Sequence, residues 1–290
     1  MERRHIHPDG PEFSRIISGA WRWHTVSSSV LASLIHTSLD SGITTFDHAD
    51  IYGDHGNEEI FGNTLRAEPG LRKKMELVTK CGIKFPSQKR PATRVKHYDT
   101  SKKHIIWSAE NSLNMLGTDY IDLLLIHRPD PLMDPVQVAE AFAELKISGK
   151  VRYFGVSNFT PPQFEMLQSY LDFPLVTNQL ELSVLHHRPF FDGSLDVLMK
   201  HRISPMAWSP LGGGRLVEQP GEVFTSAGNY GATDNQMALA WLLRHPSAIF
   251  PVIGTTRPER IVESAAAINV KLDIQDWFAM LKAAMGAEMP

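Results

Sequence analysis

The stretch IDLLLIHRPDPLMDPVQVAEAFAELKISGKVRYFGV, residues 121–156, decides the fold class. It opens on a short apolar run, 121–127, that ends in an ionisable residue. A stretch with helical spacing follows at 135–148, and a second strand-like run at 151–156. Strand, helix and strand in this succession make a parallel unit whose crossover is right-handed.

Working outward in both directions, the same alternation continues to the ends of the chain. Further strands read at 15–18, 44–49, 77–81, 175–180, 204–208 and 250–254, and further helices at 27–41, 58–65, 101–116, 161–169, 195–200, 233–244 and 258–267. Ser101 stands where a helix cap is wanted, and Pro161 and Pro258 occupy first-turn positions. Strict alternation of eight such pairs predicts an α/β fold of the (β/α)8 TIM-barrel type in preference to an open doubly wound sheet, and 290 residues suit it, since such barrels run to about 250 residues. The segment before Arg15 is expected to cap the barrel floor. Ile274, Trp277, Phe278 and Leu281 have the spacing of an extra C-terminal helix packed outside the ring. The whole chain, 1–290, reads as a single barrel domain.

Composition narrows the function classes. A net charge of −3 gives no electrostatic reason to expect nucleic acid or an anionic membrane as partner. The apolar runs are far shorter than the roughly 20 residues that span a bilayer. One cysteine, Cys81, excludes an intramolecular disulfide. The opening MERRHIHPDG has no apolar stretch behind its charges, so a cytoplasmic chain without a signal peptide is expected.

In such a barrel, chemistry sits at the C-terminal ends of the strands. Thr44-Thr45-Phe46 runs into Asp47, Leu77-Val78-Thr79 into Lys80, and Leu123 to Ile126 into His127. Side chains alternate along a strand. Counting by twos puts Leu123, Leu125 and Val78 inside the barrel, His127 and Lys80 above them, Asp47 inward and His48 outward. Tyr52 follows on the next loop. Taken singly, each residue has a structural explanation as a core histidine, a buried ion pair or a packing phenol. Their convergence on one rim is what points to chemistry. An ammonium beside a phenol stabilises the phenolate and lowers its pKa, a carboxylate fixes the lysine, and an imidazole can donate to the same oxygen. That is a proton-donating site for a carbonyl under reduction.

At these residues the sequence resembles the aldo-keto reductases. GITTFDHADIYG at 42–53, LVTKCG at 77–82 and IDLLLIHRP at 121–129 are similar to that family's signatures, in the family's order. The resemblance runs from Ile17 to about Ala267, and a bacterial oxidoreductase branch is the most similar. It implies reversible, NADPH-dependent reduction of a small-molecule aldehyde or ketone, with Asp47, Tyr52, Lys80 and His127 as catalytic centre and Tyr52 as proton donor. It also implies a cofactor site without a Rossmann fingerprint. Ser157, Asn158 and Gln179 match positions that bind the nicotinamide carboxamide, and Trp208 the aromatic on which the ring stacks. Ser209, Leu211, Gly213 and Arg215 match the loop over the pyrophosphate. Gly19, Ala20 and Trp21, with Asp47 and Gly254, fall at strand ends facing the cofactor. Thr255, Arg257 and Arg260 match a phosphate site in which Arg260 engages the adenosine 2′-phosphate, and Glu263 matches an adenine contact.

Other readings are weaker. Asp47, His48, Asp50, Asp54 and His55 look metal-like, but alternation sends neighbours to opposite faces, and no metal is expected. His5, His7, His186 and His187 read as solvated surface groups, and Cys81 as a small apolar residue facing the helices. A nicotinamide-binding regulatory subunit with little turnover, and a Schiff-base enzyme using Lys80, are the alternative functions. Trp21, Trp23, His24 and the basic segment 82–100 are candidate substrate walls. The segment 217–232, with Pro220, Gly221, Gly228 and Gly231, is expected to be short and irregular.

Overall fold

The computed structural model describes residues 1–218, 221–225 and 227–288. Eight parallel strands close into a barrel: β1 (Ile17–Gly19), β2 (Thr45–Asp47), β3 (Glu76–Cys81), β4 (Ile121–Ile126), β5 (Val151–Ser157), β6 (Leu175–Glu181), β7 (Met206–Trp208) and β8 (Phe250–Ile253). Each pairs with its neighbours in sequence, and β8 closes on β1 with Val252 opposite Ile17. Gly19 is required there, because a Cβ would lie 2.9 Å from a Val252 methyl and 3.0 Å from the Ile253 carbonyl oxygen. One helix follows each strand: α1 (Ser28–Asp40), α2 (Asn57–Ala67), α3 (Lys102–Leu116), α4 (Pro135–Ile147), α5 (Pro161–Gln168), α6 (Ser194–Lys200), α7 (Asp234–Leu243) and α8 (Pro258–Ala265). Every expected strand and helix is present, with ends shifted by a few residues.

Alternation sorts the core into two layers. Ile17, Val78, Leu123, Leu125, Met206 and Phe250 fill the barrel interior. Phe46, Leu77, Leu124 and Phe154 face outward beneath the helices. Cys81 also faces outward, where burial pushes its thiol well above the ordinary value. The floor is plugged by an antiparallel hairpin, Arg3–His5 with Glu12–Ser14, whose Ile6 and Phe13 join the interior cluster. At the helix starts, Ser27, Ser101 and Thr233 accept backbone N–H bonds from the first turn, each cap contributing about 1 kcal/mol.

A ninth helix, α9 (Ile274–Met285), lies outside the ring. Trp277 stacks on Trp241 of α7 at 4.6 Å and 4°. Each indole N–H donates to the other residue's backbone carbonyl, at 3.0 and 2.9 Å. Between α6 and α7, the described part of 217–232 is irregular apart from a helical turn at Arg215–Glu218. Gln219, Pro220 and Ser226 lie outside the described residues. The connection is anchored nonetheless, for Leu216 and Val223 are buried and the Tyr230 hydroxyl donates to Asp276 of α9 at 2.5 Å.

Two expectations fail. His7 is buried rather than solvated, because the hairpin tucks it under the barrel, and His186 and His187 are half-buried. Trp23 is no substrate wall. It is 2% exposed, stacks on Phe61 at 6.1 Å and meets the edge of Phe46 at 6.0 Å, so it belongs to the outer core. Among the described residues, no helix is long and apolar enough to cross a membrane.

Candidate active site

The mouth of the barrel brings Asp47, Tyr52, Lys80 and His127 together. Asp47 ends β2, Lys80 lies one residue before the end of β3, and His127 follows β4, its N–H bonded to the Cys81 carbonyl at 2.8 Å. Tyr52 opens a helical turn, Tyr52–His55, in which Gly53, Asp54 and His55 all take positive φ.

Lys80 is fully buried. Its Nζ donates to Asp47 Oδ2 at 2.7 Å, to the His48 carbonyl at 2.8 Å and to Tyr52 Oη at 3.2 Å. An ammonium has three protons, so every one is placed. Burial works against the charge, yet Asp47 and Tyr52 outweigh it and the pKa rises.

Tyr52 departs from expectation. Burial raises its pKa by more than the Lys80 ammonium lowers it, so the phenol keeps its proton at neutral pH. His127 is pushed well below the ordinary histidine value by burial and by the charges of Lys80, Arg128 and Lys96. It is therefore a neutral imidazole, standing edge to face with Tyr52 at 5.9 Å. A protonated phenol backed by a fixed ammonium, beside a neutral imidazole, is able to give a proton to an oxygen and stabilise the charge left behind.

A chain of hydrogen bonds extends this centre across the mouth. Gln179 Nε2 donates to Asp47 Oδ1 at 3.0 Å, and the Ser157 hydroxyl donates to the Gln179 carbonyl at 2.8 Å. Asn158 Nδ2 donates to Ser157 Oγ at 2.8 Å, and the Trp208 indole N–H donates to Asn158 Oδ1 at 2.9 Å. Asn158 and Ser209 hold positive φ at the ends of β5 and β7. Residues in this region are uncommon outside glycine and concentrate at functional sites.

The remaining sequence-predicted positions lie at the ends of β1, β7 and β8 or in the loops and helix that follow them. Gly213 and Gly254 have nothing within 4 Å of where a Cβ would stand, leaving room for a ligand at the loop after β7 and the end of β8. Arg215 Nε donates to the Gly212 carbonyl at 3.0 Å and steadies that loop, in which Ser209 is partly buried and Leu211 packs on the core. Ala20 is buried and Trp21 is 56% exposed, with Asn57 donating to both their carbonyls. The Thr255 carbonyl accepts the Trp23 indole N–H at 3.0 Å. Arg257 occupies the N-cap position of α8 without a side-chain capping bond, and Arg260 lies exposed in its first turn. Neither guanidinium has a partner among the described residues, and both stand at the N-terminus of α8. Glu263 instead accepts from the Thr233 hydroxyl at 2.5 Å, tying α8 to α7.

The Aldo/keto reductase family profile matches residues 15–284. This chain belongs to that family. An oxidoreductase of Escherichia coli (strain K12), YdhF, is 49% identical and each chain is covered completely. A 6-dehydroglucose reductase of Agrobacterium fabrum is 46% identical over 97% of both chains. The crystal structure of the thermostable aldo-keto reductase Tm1743 with the inhibitor epalrestat superposes with a TM-score of 0.84 at 28% identity. It covers 98% of this chain, and all of that one is covered.

Two features of this aldo/keto reductase escape sequence reasoning. Arg128 sits over the Trp208 ring at 5.5 Å and lies close enough to Tyr52 and His127 to bear on both. Its only signal is adjacency to His127, and alternation alone would turn it away. The basic segment 82–100 does not simply wall the mouth. Ile83–Lys84 pairs with His97–Tyr98 as a hairpin, and while Lys96 is within electrostatic reach of His127, Lys84, Lys89 and Arg90 line a separate cavity.

Proposed function

We propose that this chain reduces aldehydes and ketones to alcohols with NADPH, reversibly, through Asp47, Tyr52, Lys80 and His127. The observation that carries the reading is Lys80 Nζ held between Asp47 Oδ2 at 2.7 Å and Tyr52 Oη at 3.2 Å in a fully buried setting. The cofactor, when bound, supplies the hydride.

Tyr52, protonated at neutral pH, gives its phenolic proton to the carbonyl oxygen. The phenolate charge that develops is met at once by the Lys80 ammonium, and Asp47 keeps that ammonium in place. His127, neutral, donates a hydrogen bond to the same oxygen and orients the carbonyl. Ser157, Asn158 and Gln179 hold the nicotinamide end and Trp208 offers its face to the ring. Arg260, assisted by Arg257, takes the 2′-phosphate and so selects NADPH over NADH. The relative named 6-dehydroglucose reductase supports a hydroxylated, sugar-like carbonyl as substrate.

Tyr52→Phe tests the proposal with the smallest structural change. Loss of a general acid lowers kcat by about 10²-fold or more, while NADPH binding measured by fluorescence titration stays within error of the parent. A variant that turned over at the parental rate would take the proton-donor role away from Tyr52 and give it to another group.

A further inference from the structure

Behind the Tyr52 turn lies a second cavity of about 550 Å³, open on one side and lined by that turn, the segment 83–99 and α3. None of Asp47, Tyr52, Lys80, His127 or Trp208 lines it. Its floor holds three buried polar atoms that no group among the described residues satisfies: Asp50 Oδ1, His55 Nε2 and His104 Nε2. Asp50 and His104 are each only 8% exposed. A buried polar atom left unmet costs roughly 1–3 kcal/mol, and three of them share this one cavity.

The floor is also held in place. His55 has φ 60°, its Nδ1 bonds the Asp50 carbonyl at 2.8 Å, and its ring stacks on Phe85 at 5.0 Å and 9°. The Asp50 carboxyl accepts from Ser108 of α3 through its other oxygen, at 2.8 Å. His104 stacks on Trp107, whose ring lies beneath the Arg90 guanidinium at 5.0 Å.

Charge grades sharply from floor to rim. Burial, and then Glu58, raise the Asp50 carboxyl to about 8, and burial lowers His104 to about 4, so both are uncharged at neutral pH. The rim carries Lys84, Lys89, Arg90 and Lys103 against the single carboxylate Asp99, which lies 3.6 Å from Lys84. A matching ligand has an uncharged, hydrogen-bonding body inside and an anionic group outside. The flat faces of Trp107 and Phe85 suit the C–H face of a sugar ring.

We infer that this cavity is a second ligand site, separate from the catalytic mouth, that takes a small hydroxylated organic anion: a sugar acid or a sugar phosphate. Asp50, His55 and His104 hold its hydroxyls, and Lys89, Arg90 and Lys103 its anionic group. The ligand adjoins the catalytic segment directly, for Asp50 lies two residues from Tyr52 and its N–H donates to the Lys80 carbonyl at 3.0 Å.

The test is calorimetric titration of the full chain saturated with NADP+, using gluconate, glucose 6-phosphate, glucose and inorganic phosphate. At least one of the two anionic sugars binds with one equivalent, at least ten times tighter than glucose or phosphate. Which of the two does so assigns the anionic group as carboxylate or phosphate. Arg90→Ala weakens that binding tenfold or more, as does His104→Phe, which keeps the ring and removes its nitrogens, whereas Tyr52→Phe leaves it unchanged. Should His104→Phe fail to fold, Arg90→Ala, on a partly exposed loop, decides alone. No heat with any probe overturns the inference, as does phosphate binding as tightly as glucose 6-phosphate, or a loss in Tyr52→Phe that puts the ligand at the mouth. The readout is binding, so its failure leaves the carbonyl-reduction proposal standing, and the reverse also holds.

Discussion

Lys80 and Asp50 are buried at the same level of the barrel and joined by one backbone hydrogen bond, yet their side chains leave the wall in opposite directions. Inside the mouth, Lys80 finds a carboxylate, a carbonyl and a phenol, and its charge is reinforced. Outside, Asp50 and Glu58 face α3 and accept side-chain hydrogen bonds from hydroxyls: Ser108 for Asp50, Thr79 and Ser112 for Glu58. Burial lifts these carboxyls to about 8 and about 7. The wall thus keeps charge where a counter-charge is in direct contact, and holds a proton where none touches the carboxyl. Catalysis needs the first behaviour, while the second gives the mouth a support that does not compete for its ammonium.

The comparison breaks most plainly at Lys80. Lys80→Met leaves Asp47 as a buried carboxylate with Gln179 as its remaining side-chain partner. Removing one member of such a pair costs about 3–5 kcal/mol of stability, and the unassisted phenol lowers kcat by about 10²-fold or more. Urea unfolding and steady-state kinetics read the two losses separately. A variant as stable as the parent would mean that the pair is not ionised, and the contrast with Asp50 would vanish.

Arg260 sharpens the comparison with a third situation, an exposed charge without a partner among the described residues. Arg260→Ala removes a charge-assisted contact worth roughly 1.5–3 kcal/mol, so NADPH binding weakens about 10–100-fold while NADH binding changes little. Fluorescence titration of both cofactors checks it, and equal losses for the two would remove the 2′-phosphate from the assignment.

How much of this was legible in the sequence follows from how local each cause is. Alternation along a strand is local, so Asp47, Lys80 and His127 pointing inward, and His48 and Cys81 outward, could be counted out by hand. The capping residues Ser101 and Thr233 are equally local. The second cavity is not. It exists because Phe85 stacks on His55 and Arg90 lies over Trp107, contacts between segments that no periodic pattern links. A basic loop was visible at 82–100, but the side on which it would fold was not. The Tyr52 pKa misled for a related reason. The neighbouring ammonium could be foreseen from strand ends, whereas the depth of burial that outweighs it is a property of the closed barrel.

The smallest effect tests the outer half of the comparison by itself. Glu58 rises from an ordinary 4.5 to about 7 in the folded chain. Between those values the native state holds a proton that the unfolded chain has released, so stability falls as pH climbs through that window and stays low above it. Asp50 acts in the same sense from 3.8 up to about 8. His104, lowered to about 4, acts in the opposite sense: the native state lacks a proton the unfolded chain still holds, so stability recovers as pH rises towards 6.5. Comparing Glu58→Gln with the parent at each pH cancels the histidine contribution, which both proteins share. The amide can donate to one hydroxyl and accept from the other, so the bonds with Thr79 and Ser112 survive. At pH 5 the variant and parent are nearly equal. At pH 8.5 the variant is more stable by on the order of 2 kcal/mol, about 5 °C in Tm, with calorimetric scans as the measurement. A variant equally destabilised at both pH values would show that Glu58 is ionised in the native state, with Lys80 rather than a proton balancing it. The two faces of the wall would then share one counter-charge instead of handling buried charge in opposite ways.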